Sequence, residues 1–97
     1  MAERNYRLAI ETNASNAEAW LGLGATYDQL GRYDLADRSY KQVLKIAGTV
    51  PQLMNNMGYS YLLRGKKRQA KTYFAKAQKG LPDNQTIHGN KELLAKL

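Results

Sequence analysis

A row of residues recurs in this chain after 34 positions, and this recurrence limits the fold more than any other feature. With residues 17–48 shifted by 34, Leu23-Gly24 falls on Met57-Gly58. The other matched pairs are Gly31 with Gly65, Tyr27 with Tyr61, Ala36 with Ala70, Tyr40 with Phe74 and Val43 with Ala77. A period of this length, with small and aromatic residues at fixed offsets, predicts an all-α stack of helical hairpins.

Apolar and small residues also recur at intervals of three and four, which is typical of amphipathic helices. The spacing predicts helices over 17–30, 33–47 and 67–79, and another that begins at Pro51 and stops at Gly65. We expect Ser15 with Glu18, and Thr49 with Gln52, to form the caps that open the first helices. The inward-facing residues include Trp20, Tyr27, Tyr61 and the run Tyr40, Val43 and Leu44, whose counterparts one period earlier are Tyr6, Ala9 and Ile10.

These elements predict one domain over 1–97. Its parts are the second helix of a truncated repeat over about 2–14, repeat one over 17–50, repeat two over 51–84 and a closing helix over 85–97. Because the first helix lacks its hairpin partner, we expect the chain to be a fragment of a longer protein.

Composition argues against several classes of function. The hydrophobic share of 43% is typical of a folded globular domain. The chain contains no run of 18 apolar residues, so we expect no transmembrane helix. With no cysteine and one histidine, His88, the chain predicts no metal site and no cofactor. No set of nucleophile, base and orienting residue can be assembled, so we expect no enzyme activity.

The formal net charge is +7, and the positive charge is concentrated. Between Asp37 and Asp83 there are ten basic residues and no acidic one. The densest part is a basic cluster of Arg64, Lys66, Lys67, Arg68 and Lys71. It is either a solvated outer face or a surface for an anionic partner. Nucleic acid is not expected, because no stacking aromatic residues interleave with the cluster.

Taken together, the repeated positions resemble the tetratricopeptide repeat. They are Trp20, Leu23, Gly24, Tyr27, Ala36, Tyr40 and Val43, then Met54, Met57, Gly58, Tyr61, Ala70, Phe74, Ala77 and Pro82. The resemblance implies a right-handed superhelix of antiparallel hairpins that binds a peptide or helix of a partner protein. Two departures are Met54 in place of the usual tryptophan and Gly48 in place of the proline of repeat one.

In proteins that this chain resembles, the first helices of the repeats line a concave groove. The positions implied for that groove are Glu18, Leu21, Ala25, Asp28, Gln52, Asn55, Asn56, Tyr59 and Asn90, with Thr86 and Lys96 beside them. Asn56 and Asn90 lie one period apart and could clamp a peptide backbone, or they could simply satisfy helix ends or face water. The subclass that grips a terminal carboxylate is not expected, since Leu21 and Ala25 occupy its first-repeat positions.

A further resemblance covers Asn55 to Leu94. The run over 55–65, with Pro82, Asp83, Asn84, Ile87, Asn90 and Leu94, is similar to the repeat lipoprotein of tight-adherence (Flp, Tad) pilus assembly systems. That resemblance implies a bacterial protein on the periplasmic face of the outer membrane, with a pilus or secretin component as partner. Without it, a cytoplasmic location is expected. The rival reading is a structural module that associates with copies of itself through the ends of the stack.

Overall fold

The computed structural model describes residues 2–80, and these residues form five helices and no strand. The helices are α1 (Ala2–Thr12), α2 (Ala17–Gln29), α3 (Tyr33–Ala47), α4 (Pro51–Leu63) and α5 (Lys67–Gly80). The predicted all-α class is therefore confirmed. The predicted closing helix over 85–97, with Asn90, Thr86 and Lys96, lies outside the described residues, as does His88.

The chain divides into two compact units at the junction of Gly48 and Thr49. In the first unit α2 packs on α3, and α1 packs on α2. In the second unit α4 packs on α5. Within residues 2–80, α2 with α3 and α4 with α5 thus each form a hairpin of two packed helices, and α1 precedes the first hairpin.

The helix starts differ from the predicted caps. At α2 the N-cap is Asn16, whose Oδ1 accepts the backbone N–H of Ala19 over 3.0 Å. The backbone N–H of Ser15 instead donates to Asn13 Oδ1, so the predicted capping box of Ser15 and Glu18 is wrong. At α4 the N-cap is Val50, with no side-chain hydrogen bond, so the box of Thr49 and Gln52 is also wrong. Pro51 occupies the first turn, where a missing N–H leaves no hydrogen bond unmade.

The prediction that glycines end the helices is confirmed. Three glycines at helix ends adopt backbone angles that other residues rarely take. Gly31, Gly48 and Gly65 have φ of 72°, 75° and 76°. Each follows the last residues of a helix, where a left-handed residue lets the terminal carbonyl groups find donors. For example, the N–H of Arg32 donates to Tyr27 O over 2.8 Å, and that of Lys66 donates to Tyr61 O over 2.8 Å.

Close helix approach within each hairpin depends on a second set of glycines. A Cβ placed on Gly24 would lie 2.5 Å from the Tyr40 ring, and one placed on Gly58 would lie 2.6 Å from the Phe74 ring. The prediction that small residues stand where paired helices approach is confirmed. A third close approach, at Gly22, was not predicted: a Cβ there would lie 2.3 Å from the Tyr6 ring of α1.

The buried core matches most of the predicted inward positions. Ala36, Tyr40, Val43, Ala70, Phe74 and Ala77 are all buried. Leu44 was predicted to face inward, but it is 44% exposed, because it lies one position past the buried stripe of α3. Trp20 is only half-buried, and so are the α1 residues Tyr6, Ala9 and Ile10. Leu53, Ser39 and Ser60 are buried although the pattern did not indicate them.

Candidate functional site

Four of the predicted groove residues follow one face of α4, at intervals of three and four. This α4 face consists of Gln52, Asn55, Asn56 and Tyr59. The other side of the helix is buried, with Leu53 at 0% and Met54 at 3% exposure. On the α4 face Gln52 is exposed, the two asparagines are half-buried and Tyr59 is 36% exposed. The helix therefore presents amide groups and a phenol ring on the side that does not form the core.

The corresponding positions on α2 divide into two kinds. Glu18 is exposed, and Leu21 and Ala25 are half-buried, so these three remain candidates for contact with a ligand. Asp28 was also expected to line the groove, but it is only 4% exposed. Its Oδ2 accepts a hydrogen bond from the Tyr40 hydroxyl over 2.7 Å, which ties α2 to α3 inside the hairpin. Asp28 therefore has a structural role and does not line an open surface.

The members of the predicted basic cluster differ in exposure. Lys66, just before α5, and Lys67, Arg68 and Lys71, in its first part, are exposed. Arg64 is half-buried and packs on its own hairpin. Its Nη2 donates to Ser60 Oγ over 2.8 Å, and its guanidinium carbon lies 4.9 Å from the centre of the Tyr61 ring. The Tyr61 ring in turn stacks on Tyr73, with centroids 5.4 Å apart. Arg64 therefore caps a stacked pair of rings, and the open basic cluster has four members.

One concave, largely apolar surface in the first unit was not predicted. It is a cleft of about 470 Å³ lined by α1, α2 and α3, which we call the α1–α3 cleft. Its apolar lining consists of Ile10, Trp20, Leu23, Tyr27 and Leu35. Its rim carries Arg7 and Glu11 from α1 and Arg38, Lys41 and Gln42 from α3. The volume lies within the range of about 300–1,000 Å³ that is typical of ligand pockets.

Polar atoms in the cleft lining already have partners within the first unit. Trp20 Nε1 donates to Ala14 O over 2.9 Å, and Ser39 Oγ donates to Leu35 O over 3.1 Å. The Tyr27 hydroxyl donates to Glu3 Oε1 over 3.3 Å. The lining therefore offers mainly carbon surface to anything that enters.

The Tyr27 phenol, which lines the α1–α3 cleft, has a raised pKa. Burial raises its pKa above the ordinary value of 10.0, and the negative charge of Glu3 acts in the same direction. The same Oε1 atom of Glu3 also lies 3.3 Å from Arg7 Nη1. Glu3, Arg7 and Tyr27 thus form a small polar network at the α1 side of the α1–α3 cleft.

The groups that residues 2–80 expose are those of a binding surface. Within residues 2–80, no three His, Cys, Asp or Glu side chains come together as a metal site would require. Across that same part of the chain, no helix combines the length and the apolar character needed to span a membrane. These packed hairpins offer exposed or half-buried amide, phenol and cationic side chains, together with an apolar cleft.

The arrangement defines a class of protein, the helical-hairpin repeat proteins, and comparison with known proteins identifies the family. Two models described as Tetratricopeptide repeat match residues 17–49 and 51–79, which together make up more than half of the chain. The chain belongs to the tetratricopeptide repeat family. A segment of 41 residues is 37% identical to Protein bimA of Emericella nidulans. That match covers 42% of this chain and 5% of the fungal protein.

The sequence did contain one signal for the α1–α3 cleft. On α3, Leu35 stands away from the buried stripe that contains Ala36, Tyr40 and Val43, and it is only half-buried. An apolar residue outside the core face of an amphipathic helix can mark a second contact surface. The pattern could not show that Trp20 of α2 and Ile10 of α1 lie on the same surface.

Proposed function

We propose that this chain is a non-catalytic scaffold that binds a segment of a partner protein through the first helices of its repeats. The family match supports protein binding as the general function. The observation that carries the proposal for this chain is the α4 face, where Asn56 and Tyr59 stand opposite the buried side of the helix.

The chemistry of the α4 face fits an extended peptide. An asparagine side chain both donates and accepts hydrogen bonds, so Asn56 can pair with a peptide N–H or C=O whatever the peptide sequence. A tyrosine side chain offers a large contact area with only two rotatable bonds, which makes its ordering inexpensive in entropy. Asparagine is also a weak helix former, so its presence in the middle of α4 has no advantage for the helix itself.

A randomised peptide library displayed on phage tests this proposal. Peptides selected on the wild-type chain are expected to bind the Asn56→Ala/Tyr59→Ala variant at least about tenfold more weakly, which corresponds to about 1.4 kcal/mol. The matched control is Lys67→Ala/Arg68→Ala, which changes two exposed residues of α5 and should retain the affinity. Thermal melting of both variants establishes that each is folded.

Equal binding of the selected peptides to wild type and to Asn56→Ala/Tyr59→Ala would contradict the proposal. Loss of binding only in Lys67→Ala/Arg68→Ala would move the site to the exposed part of the basic cluster and make the partner anionic. In that case the affinity should also fall steeply as salt is raised above about 100 mM.

A narrower role, in the assembly of a tight-adherence pilus or its secretin, is proposed on the resemblance over 55–65 and the matching residues up to Leu94. It would place the domain in the bacterial periplasm at the outer membrane. Its test is co-purification of the tagged chain from envelope extracts of the native host. Recovery of a pilus or secretin subunit that is lost with Asn56→Ala/Tyr59→Ala would support the narrower role. Recovery of cytoplasmic proteins alone would remove it.

A further inference from the structure

We propose that the α1–α3 cleft is a second binding site, and that it takes an acidic peptide which inserts a bulky apolar side chain. The site lies wholly within the first unit and uses none of the residues of the α4 face. It therefore stands or falls separately from the function proposed above.

The apolar part of the argument rests on three half-buried side chains. Ile10, Trp20 and Leu35 come from three different helices and line one cleft of about 470 Å³. Apolar surface left partly in water gains free energy when a ligand side chain covers it. Because the indole N–H of Trp20 already donates to Ala14 O, an entering side chain need not supply an acceptor there. An aliphatic or phenyl group fits this lining better than a polar one.

The charge of the rim specifies what must surround that apolar side chain. Arg7, Arg38 and Lys41 are exposed around the mouth of the cleft, against one exposed carboxylate, Glu11. Arg7 forms an exposed ion pair with Glu3 at 3.3 Å, a kind of contact that exchanges readily with another carboxylate. A ligand with aspartate or glutamate on either side of its apolar anchor complements this rim.

The second repeat shows that these residues are not required by the hairpin fold. One period after Leu35, Arg38 and Lys41 stand Gln69, Thr72 and Ala75. One period after Trp20 stands Met54, which is 3% exposed. The hairpin of repeat two forms with Gln69, Thr72 and Ala75 in place of Leu35, Arg38 and Lys41, so the hairpin fold does not require these three residues. The same comparison supplies a test variant, Arg38→Thr/Lys41→Ala, that copies a natural surface of this chain.

Trp20 is the single tryptophan of the chain and reports directly on the cleft. Short randomised peptides that lack tryptophan are selected on the wild-type chain and counter-selected against Arg38→Thr/Lys41→Ala. The enriched peptides are expected to carry Phe, Leu or Ile next to Asp or Glu. On titration they should shift Trp20 emission to shorter wavelength and move its indole N–H resonance in NMR spectra.

The affinity comparison uses a control of equal charge change. Binding should weaken at least about tenfold in Arg38→Thr/Lys41→Ala and remain unchanged in Lys67→Ala/Arg68→Ala, since a local rim interaction is lost only in the first. All four substituted side chains are exposed, so both variants keep the fold, which circular dichroism melting checks. The affinity should also decrease between about 50 mM and about 500 mM salt.

Three results would overturn the proposal. The first is no enrichment after counter-selection. The second is enriched peptides that depend on Asn56 and Tyr59 and leave the Trp20 signals unchanged, a result that supports the α4 face instead. The third is a Trp20 shift that follows protein concentration without peptide and is accompanied by a doubled mass in sedimentation. In that case the occupant of the cleft is a second copy of the chain.

Discussion

The Tyr40 hydroxyl donates a hydrogen bond of 2.7 Å to the Asp28 carboxylate inside the hairpin of repeat one. One period later the same two positions are occupied by Phe74 and Leu62. Both members of the pair therefore change together, from a phenol with a carboxylate to a phenyl ring with an aliphatic side chain. The two hairpins share their glycine and aromatic contacts but are joined by different chemistry at this point.

Tyr40→Phe is expected to lower the free energy of unfolding by about 1–3 kcal/mol, because a buried carboxylate loses a hydrogen-bond donor. Asp28→Leu should be destabilising for the related reason that the buried hydroxyl loses its acceptor. The double variant Asp28→Leu/Tyr40→Phe, which copies repeat two, should be less destabilised than the sum of the two single variants. Urea denaturation of all four proteins measures the coupling. Strict additivity would show that the hydrogen bond contributes nothing to stability.

Gly58→Ala is expected to destabilise repeat two, although alanine is the better helix former by about 1 kcal/mol. The added methyl group would lie 2.6 Å from the Phe74 ring, and the hairpin must open or the ring must move. Overpacking of this kind costs about 1–3 kcal/mol. Pairing the change with Phe74→Leu, which leaves room for the methyl group, should make the effect of Gly58→Ala smaller or reverse its sign. An equal effect in both backgrounds, measured by thermal melting, would contradict the contact.

The raised pKa of Tyr27 predicts a loss of stability in alkaline solution. Since its folded-state pKa lies above the ordinary value of 10.0, the unfolded chain releases this proton first as pH rises. The contribution of the Tyr27 phenol to the free energy of unfolding is thus fully present below about pH 10 and is lost as pH rises through the folded-state pKa. Tyr27→Phe lacks this ionisation, so its unfolding free energy should fall less steeply between about pH 9 and about pH 11. Parallel slopes for the two proteins would show that Tyr27 titrates normally.

Trp20→Ala tests the degree to which the tryptophan belongs to the core. A fully buried tryptophan would cost about 3–5 kcal/mol on truncation. Because Trp20 is half-buried against the α1–α3 cleft, we expect a smaller loss of about 1–3 kcal/mol. Met54→Ala, at the equivalent and buried position of repeat two, provides the comparison and is expected to cost about 2–5 kcal/mol. A loss for Trp20→Ala well above that for Met54→Ala would show that Trp20 acts as a core residue.

The period of the sequence predicted most of the fold for a simple physical reason. Helix length, the glycines at 31, 48 and 65 and the small residues at 24 and 58 are local or pairwise requirements that recur in each hairpin. The helix caps were harder to predict from the sequence. Asn13, Ser15 and Asn16 can all serve as N-caps, and which one does so depends on the backbone angles at the start of α2. Leu44 was misplaced for a similar reason, since it lies at the edge of the apolar stripe of α3.

The candidate sites were predicted less completely than the fold. Position in the repeat placed four predicted groove residues on one face of α4, yet the same offsets assigned the buried Asp28 to the groove. The phenol that makes its burial possible lies twelve residues away in α3. The α1–α3 cleft requires side chains from three helices to converge, and no periodic pattern within one helix contains that information.

The exchange of a polar pair for an apolar pair between repeats should also favour the correct pairing of helices during folding. A chain of similar hairpins can pair a first helix with the wrong second helix. If α2 paired with α5, Asp28 would be buried against the phenyl ring of Phe74, and if α4 paired with α3, the Tyr40 hydroxyl would be buried against Leu62. Each mismatch removes the hydrogen bond between the Tyr40 hydroxyl and the Asp28 carboxylate and places one of these groups against an apolar side chain, at a cost of about 1–3 kcal/mol. The hydrogen bond between Tyr40 and Asp28 is thus expected to favour the pairing of α2 with α3 over either mismatch.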